Sequence, residues 1–182
     1  MRVITPPTAE PVTLEDAKLH LRVDHADEDT LISACIAAGR EQAEAFTRRF
    51  IMPQTVELSL PAFPERISLP LPFKSVVSVK HIDGDGVEQT LADVQAVNLG
   101  HDAYILPAYG SSWPATRNVP EAVKVRVIVG YDEVPASIRA AILLLVGEMY
   151  ANREESGPSN IGQLPLTAER LLSFFRDYRG SL

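Results

Sequence analysis

At 182 residues, with 46% hydrophobic and 23% charged side chains, the chain is long enough for one domain with a continuous core and has ordinary globular composition. Its net charge of −7 is spread along it: residues 1–52 carry 6 basic and 9 acidic groups, 53–130 carry 6 and 8, and 131–182 carry 5 and 7. No segment therefore offers the basic stripe that phosphate neutralisation requires, and the single cysteine, Cys35, excludes an internal disulfide. The longest apolar run, Ala140 to Val146, is too short to span a bilayer. The start, Met1-Arg2-Val3-Ile4-Thr5-Pro6-Pro7, lacks the apolar stretch of a signal peptide, so no secretion is expected and a reducing cytosol fits.

In chain order, Thr13 is placed to cap a helix, with Asp16 in a capping-box-like arrangement and Leu14, Ala17, Lys18 and Leu21 at helical spacing. Asp24-His25-Ala26-Asp27 interrupts. A longer helix is predicted from about Glu28 to Arg48, with Leu31, Cys35, Ala38, Gln42, Ala45 and Phe46 as one stripe, closed by Pro53. From Thr55 to Gly130 the period changes to two. Thr55–Leu60 alternates, Val76–Ile82 and Val87–Leu91 flank Asp83-Gly84-Asp85-Gly86 as a hairpin, and Ala103–Leu106 and Val123–Val129 are further strands. Pro107 to Pro120, which holds Trp113, reads as a long loop. Pro135 opens a third long helix to about Arg153, with Ile138, Ala141, Ile142, Leu145, Val146, Met149 and Tyr150 inside and Ala140, Leu143 and Leu144 widening that face. Gly157-Pro158-Ser159-Asn160 reads as a linker, and Thr167–Tyr178 as a last amphipathic segment. The expected class is α+β: a helical bundle (two N-terminal helices, one long helix and a C-terminal helix) with a central antiparallel β insertion. Residues 1–54 and 131–182 form the expected helical part and residues 55–130 the insertion.

The candidate chemistry is thin. Asp24, His25, Asp27, Glu28 and Asp29 suggest metal ligands, but the run lacks the glycine and glutamate of a calcium-binding loop. Acidic residues ahead of a helix also favour its N-terminal partial positive charge, and one of them can cap it. Asp83-Gly84-Asp85-Gly86 fits a turn better than a calcium loop. His20, His25, His81 and His101 are isolated, and no zinc spacing, nucleophile motif or phosphate loop occurs. Cys35 lies on an apolar stripe and reads as core. Expected catalytic, cofactor-binding and metal residues are none. The C-terminal segment carries Arg170, Leu171, Leu172, Phe174, Phe175, Arg176, Tyr178 and Arg179, aromatics and arginines of the kind that anchor interfaces. It either folds back on its own core or docks on a neighbour. Trp113 either plugs its local sheet or anchors a contact between subunits.

Two blocks carry a family resemblance. Thr13-Leu14-Glu15-Asp16-Ala17-Lys18-Leu19-His20-Leu21-Arg22-Val23-Asp24, then Asp27-Glu28-Asp29-Thr30-Leu31-Ile32, resembles the opening of phage head–tail connector (adaptor) proteins. Gly130-Tyr131 through Val134-Pro135 to Ile138–Leu145, and on through Glu148-Met149-Tyr150-Ala151-Asn152-Arg153-Glu154, is similar to a later helix of that family. Leu164-Pro165 and Leu171-Leu172-Ser173-Phe174-Phe175-Arg176 resemble its closing motif, with Phe175 in place of the usual tyrosine.

The resemblance implies a structural subunit with no catalysis and no cofactor. It implies a homo-oligomeric ring, commonly of twelve, beneath the portal protein and next to a stopper or other neck or tail protein. DNA passes through the lumen without specific binding, and there is no membrane partner. The expected location is the neck of a virion or virion-like particle (phage, prophage or gene transfer agent), and the host cytoplasm before assembly. The C-terminal residues Arg170 to Arg179 are then the candidate portal-docking or intersubunit surface. The alternatives are another neck component, a stopper or tail-completion protein, or a packaging-associated nuclease using Asp24, Asp27 and Asp29 with a metal.

Overall fold

A computed structural model of the chain describes residues 1–152 and 164–179. The described elements run β1 (Arg2–Thr5), α1 (Leu14–Leu21), α2 (Asp29–Thr47), β2 (Gln54–Leu60), β3 (Ile67–Ser68), β4 (Phe73–Ile82), β5 (Glu88–Thr90), β6 (Val94–Asn98), β7 (Ala103–Pro107), β8 (Val123–Val129), α3 (Ala136–Ala151) and α4 (Leu166–Ser173). The α+β expectation is borne out: four helices accompany antiparallel sheets. The chain separates into two compact units, one of Met1–Thr8, Pro53–Tyr131 and Arg179–Leu182, the other of Ala9–Met52 and Asp132–Tyr178. The expected linker at 157–160 and the ends of the third helix and its motif, Arg153 and Glu154, lie outside the described residues.

In the β unit one sheet has the order β1-β2-β8-β4-β5 and a second has β3-β7-β6, all pairs antiparallel. The alternation of β8 organises the first sheet. Val123, Val125, Val127 and Val129 are wholly buried while Lys124, Arg126 and Ile128 face the other way. β8 is paired on both sides, with Gln54 opposite Val129 on β2 and Phe73 opposite Val129 on β4. Ile67, Ala103 and Ile105 of the second sheet are buried too, and the Asn98 amide donates to the Phe73 carbonyl at 2.8 Å. β1, β3 and β6 were not expected from the sequence. They are four, two and five residues long, and none of them alternates cleanly between buried and exposed positions. Because β1 pairs with β2, Met1–Thr8 cluster with the sheets although residues 1–54 were expected with the helices. The hairpin between β4 and β5 forms as expected, but only its second glycine, Gly86, takes a positive φ (87°). The first turn is held instead by Asp83, whose Oδ1 accepts from the Asp85 and Val87 amides at 3.1 and 2.9 Å.

The helical unit starts as the sequence indicates, with Thr13 Oγ1 accepting from the Asp16 amide at 3.1 Å. The buried stripe of α2 differs from the expected one. Ile32, Cys35, Ile36, Gly39, Arg40, Ala43 and Thr47 face inward, while Leu31, Gln42 and Ala45 are exposed. The helix is rotated by about one residue because two inward positions do not count as apolar. Gly39 lies against α3, where a Cβ would sit 3.4 Å from Ile142 Cγ2 and 3.6 Å from the Ile142 carbonyl. Arg40 is buried but surrounded by carboxylates: its Nε donates to Glu10 Oε2 at 2.8 Å and its Nη1 to Glu44 Oε2 at 3.0 Å. Burial alone would lower its pKa, and the hydrogen bond to Glu10 and the charges of Glu44, Glu10 and Glu41 more than reverse that. Burial pushes the Glu44 carboxyl up, against the Ile51 amide and Arg40. α3 buries Ile138, Ala141, Ile142, Leu145 and Val146 as expected; of the widening residues, Leu143 and Leu144 are half-buried and Ala140 is exposed.

The approach of α2 to α3 at Gly39 gives a graded expectation. Gly39→Ala gains helix propensity of up to about 1 kcal/mol against a contact of ordinary length, so it stays near or above the parent stability. Gly39→Leu forces extra methylenes between packed helices and loses about 1–3 kcal/mol. The urea midpoints of the two variants check this, and equal losses would contradict it.

Candidate functional site

The residues that first suggest chemistry are not gathered into a centre. Asp29 Oδ1 accepts from Lys18 Nζ at 2.6 Å, the Tyr150 hydroxyl donates to Glu28, and His25 Nδ1 lies 3.6 Å from Asp27 Oδ2. Glu28 stands at the N-cap of α2 without a side-chain capping bond, so the cap expected from this acidic run is absent and its carboxylate serves Tyr150. Among the described residues no group of three or more His, Cys, Asp or Glu side chains is arranged to hold a metal. Asp83 is occupied by its turn. The Gln89 side-chain bond, then those of the Val87 and Asp85 amides, holds its carboxyl below the usual range. Cys35 is buried in α2. No described helix is long and apolar enough to cross a membrane. Trp113 stacks on Phe63 at 4.6 Å with 3° between the rings and donates to the Glu65 carbonyl at 3.3 Å, so it packs within its own unit.

The eight C-terminal candidates divide. In the helical unit Leu172 is fully buried beside Ala168, and the Asp177 amide donates to the Thr47 carbonyl at 2.8 Å, which ties the segment to the end of α2. Leu171 and Phe175 are half-buried and Arg170 is exposed. Arg176 stacks over Phe46 at 5.0 Å and over Tyr178 at 5.7 Å. Phe174 and Tyr178 are 87% and 77% exposed, and Leu166, which the sequence did not single out, is exposed as well. Arg179 belongs with the β unit, where Nη1 reaches Asp102 Oδ1 at 2.6 Å and Nη2 the Leu69 carbonyl at 3.1 Å. That pairing is the first cause of the lowered Asp102 carboxyl. The expected amphipathic segment ends as helix at Ser173. The structure thus brings together Arg176 and Tyr178, leaves Phe174 exposed, and withdraws Leu172 and Arg179 from a free surface.

Two further surfaces went unread in the sequence. Val12, Asp16, Leu19, His20, Arg139 and Leu143 line a cleft of about 680 Å³ in the helical unit, with Leu19 80% exposed at its edge. Leu19 falls off the Leu14–Ala17–Leu21 face, the one signal that it points outward. In the β unit, the side of the first sheet opposite the valines carries Arg2 and Arg126 on either side of Glu57. Arg2 Nη2 lies 2.9 Å from Oε1 and Arg126 Nε lies 2.6 Å from Oε2. Burial alone would raise the Glu57 carboxyl, but the bonds and charges of Arg126 and then Arg2 hold it below the usual range.

Residues 11–81 match the family described as phage gp6-like head-tail connector protein. These residues carry the family signature, which bears out the resemblance read from Thr13–Ile32; the Gly130–Glu154 block lies beyond the match. Solved structures share the fold over the whole chain. A chain from the neck of an empty GTA particle computed with C6 symmetry aligns with a TM-score of 0.77 and 20% identity over 100% of this chain and 98% of that one. A chain from the virion of a native gene transfer agent (GTA) particle gives 0.77 and 19% over 98% and 97%. One from the neck of a native GTA particle computed with C12 symmetry gives 0.71 and 21% over 100% and 98%. Identities this low speak for fold. No curated protein matches the chain.

The Glu57 pair sets an acid limit on stability. A lowered folded pKa means that the stabilisation is complete above the ordinary glutamate value, about 4.3, and is lost as pH falls through the folded value. Glu57→Gln is expected to lose about 1.5–3 kcal/mol at neutral pH. Its stability should then fall less steeply than the parent's below about pH 4. Parallel acid limbs in denaturant titrations across pH would contradict the assignment.

Proposed function

We propose that the chain is a structural head–tail connector (adaptor) subunit of the neck of a tailed phage or phage-derived particle. The observation that carries this is the coincidence of two matches: the connector-family signature over residues 11–81 and a fold shared end to end with chains of particle necks. In this reading copies form a ring, commonly of twelve, which the C12 symmetry of one neck supports. The ring sits beneath a portal protein and next to a stopper or other tail protein. DNA passes through it without specific binding, and the subunit waits in the host cytoplasm before assembly. Its role is mechanical: residues 1–54 and 131–182 are read as the connector core with its C-terminal tail, and residues 55–130 as an insertion in it. The nuclease reading is not favoured, because Asp29 is ion-paired to Lys18 and the turn carboxylates do not converge.

The C-terminal segment is the proposed portal-docking or intersubunit surface, with Phe174 and Tyr178 as its anchors. Two exposed aromatics flanking an arginine are an interface signature, and their truncation leaves Leu172 and Ala168 in the core. The segment expected for portal docking begins at Pro158; residues 158–163 and 180–182 of it lie outside the described residues.

Gold labelling of an affinity tag on this chain, viewed by electron microscopy, is expected to mark the junction of head and tail. Label confined to the capsid or the tail tip would refute the neck assignment. The double variant Phe174→Ala, Tyr178→Ala should keep the parent melting temperature while its recovery on portal-bearing heads falls by about tenfold or more. Recovery equal to the parent's would remove these two residues from the docking surface.

A further inference from the structure

The two units differ sharply in charge, which the even spread along the sequence conceals. Among the described residues the β unit contains 8 acidic and 8 basic side chains and the helical unit 14 acidic against 8 basic, so the excess of carboxylates lies in the helical unit. Within the neutral β unit the charges are sorted again. The outer side of the first sheet sets Arg2, Glu57 and Arg126 in one cross-strand row and Lys124 and Lys80 in the next, with Glu88 beside Lys80 at 2.7 Å. Four cations share this face with two carboxylates.

Lys80 and Lys124 stand directly opposite each other in the β4–β8 register, and Arg126 is two residues along the same strand. Like charges directly across a sheet are destabilising, and one glutamate, Glu88, stands against both lysines. A neutral pair would fold better, so the arrangement points to an anionic partner that relieves it.

We propose that this sheet face docks on the acidic helical unit of a second copy, making the head-to-tail contact that closes the ring; the inference rests on the ring reading above. The contact is heterologous, since one copy offers its sheet and the next its helices. The receiving surface is α1 and the turn after it, where Glu15, Asp16, Asp24 and Asp27 are all exposed and Lys18 is already engaged by Asp29. Nucleic acid is the poorer occupant: a surplus of two positive charges interrupted by Glu57 and Glu88 neutralises few phosphates. Complementary charge of this kind sets register and partner choice around a ring.

Reciprocal charge reversal tests the contact. Sedimentation of the full chain should show self-association that weakens as salt rises. Lys80→Glu with Lys124→Glu, and separately Asp24→Lys with Asp27→Lys, should each weaken it by about tenfold or more, and an equimolar mixture of the two should restore it. Lys124→Gln should weaken association while raising the melting temperature, a pairing that a purely structural lysine would not give.

Association that is absent or indifferent to salt in the parent overturns the proposal, as does a mixture that fails to recover. So does a loss confined to the sheet variants together with binding of a double-stranded DNA probe, which would put nucleic acid on the face. Any of these leaves the neck assignment intact, because that is read from the label's position in the particle.

Discussion

Gln54 stands opposite Val129, and the rest of the architecture follows from that pairing. A long insertion can sit inside a helical unit only if its two ends return to the same place. Antiparallel pairing of the first and last strands of the insertion guarantees it. β2 and β8 pair residue for residue from Gln54–Val129 to Leu60–Val123 without a bulge. β4 then closes the other side of β8, and its irregularities fall beside that regular pair. The helices on either side of the insertion can therefore remain one compact unit although some eighty residues separate them in sequence.

Each unit also solves the problem of a buried charge in the same way, by giving it more than one opposite partner. Glu57 lies between Arg126 and Arg2, and Arg40 between Glu10 and Glu44. A single partner would leave part of a desolvated charge uncompensated; two, reached from different elements, satisfy it and fix register at once. Arg2 ties the short β1 to β2, and Arg40 ties the segment before α1 to α2 while Glu44 holds the Ile51 amide beyond the helix. The polar core is thus where otherwise weak pieces of chain are fastened, which is why β1 persists at four residues.

Much of this was legible in the sequence where one residue type repeats at one period. The valine column of β8, the Thr13 cap, the hairpin at Asp83–Gly86 and the inner face of α3 all announce themselves locally. The inward face of α2 did not, because Gly39 and Arg40 read as polar or small and only a neighbouring helix and distant carboxylates make them core residues. β3 and β6 pair with β7 alone, and pairing is a non-local fact. The site was less legible than the fold. The surface proposed for docking carries no motif of reactive side chains, and the acidic run Asp24–Asp29 resembled chemistry only until its partners in space, Lys18 and Tyr150, were known.

The C-terminal segment shows why composition alone overstates a surface. Its aromatics and arginines look equivalent in sequence, yet they serve three purposes. Leu172 closes the helical core, Arg179 clasps Asp102, and Phe174 and Tyr178 are left outside with Arg176 between them. Helical phase decides the first of these, since Ala168 and Leu172 lie four residues apart on one face. The end of the helix at Ser173 decides the last: beyond it the backbone no longer follows that phase, and the Asp177–Thr47 hydrogen bond fixes its course instead. Within the helical unit the buried Leu172 before the rings and the Asp177–Thr47 hydrogen bond between them already hold this stretch, so it loses little further freedom on contact. Preorganisation of that kind, more than hydrophobicity, is what would suit Phe174 and Tyr178 to the docking role proposed for them.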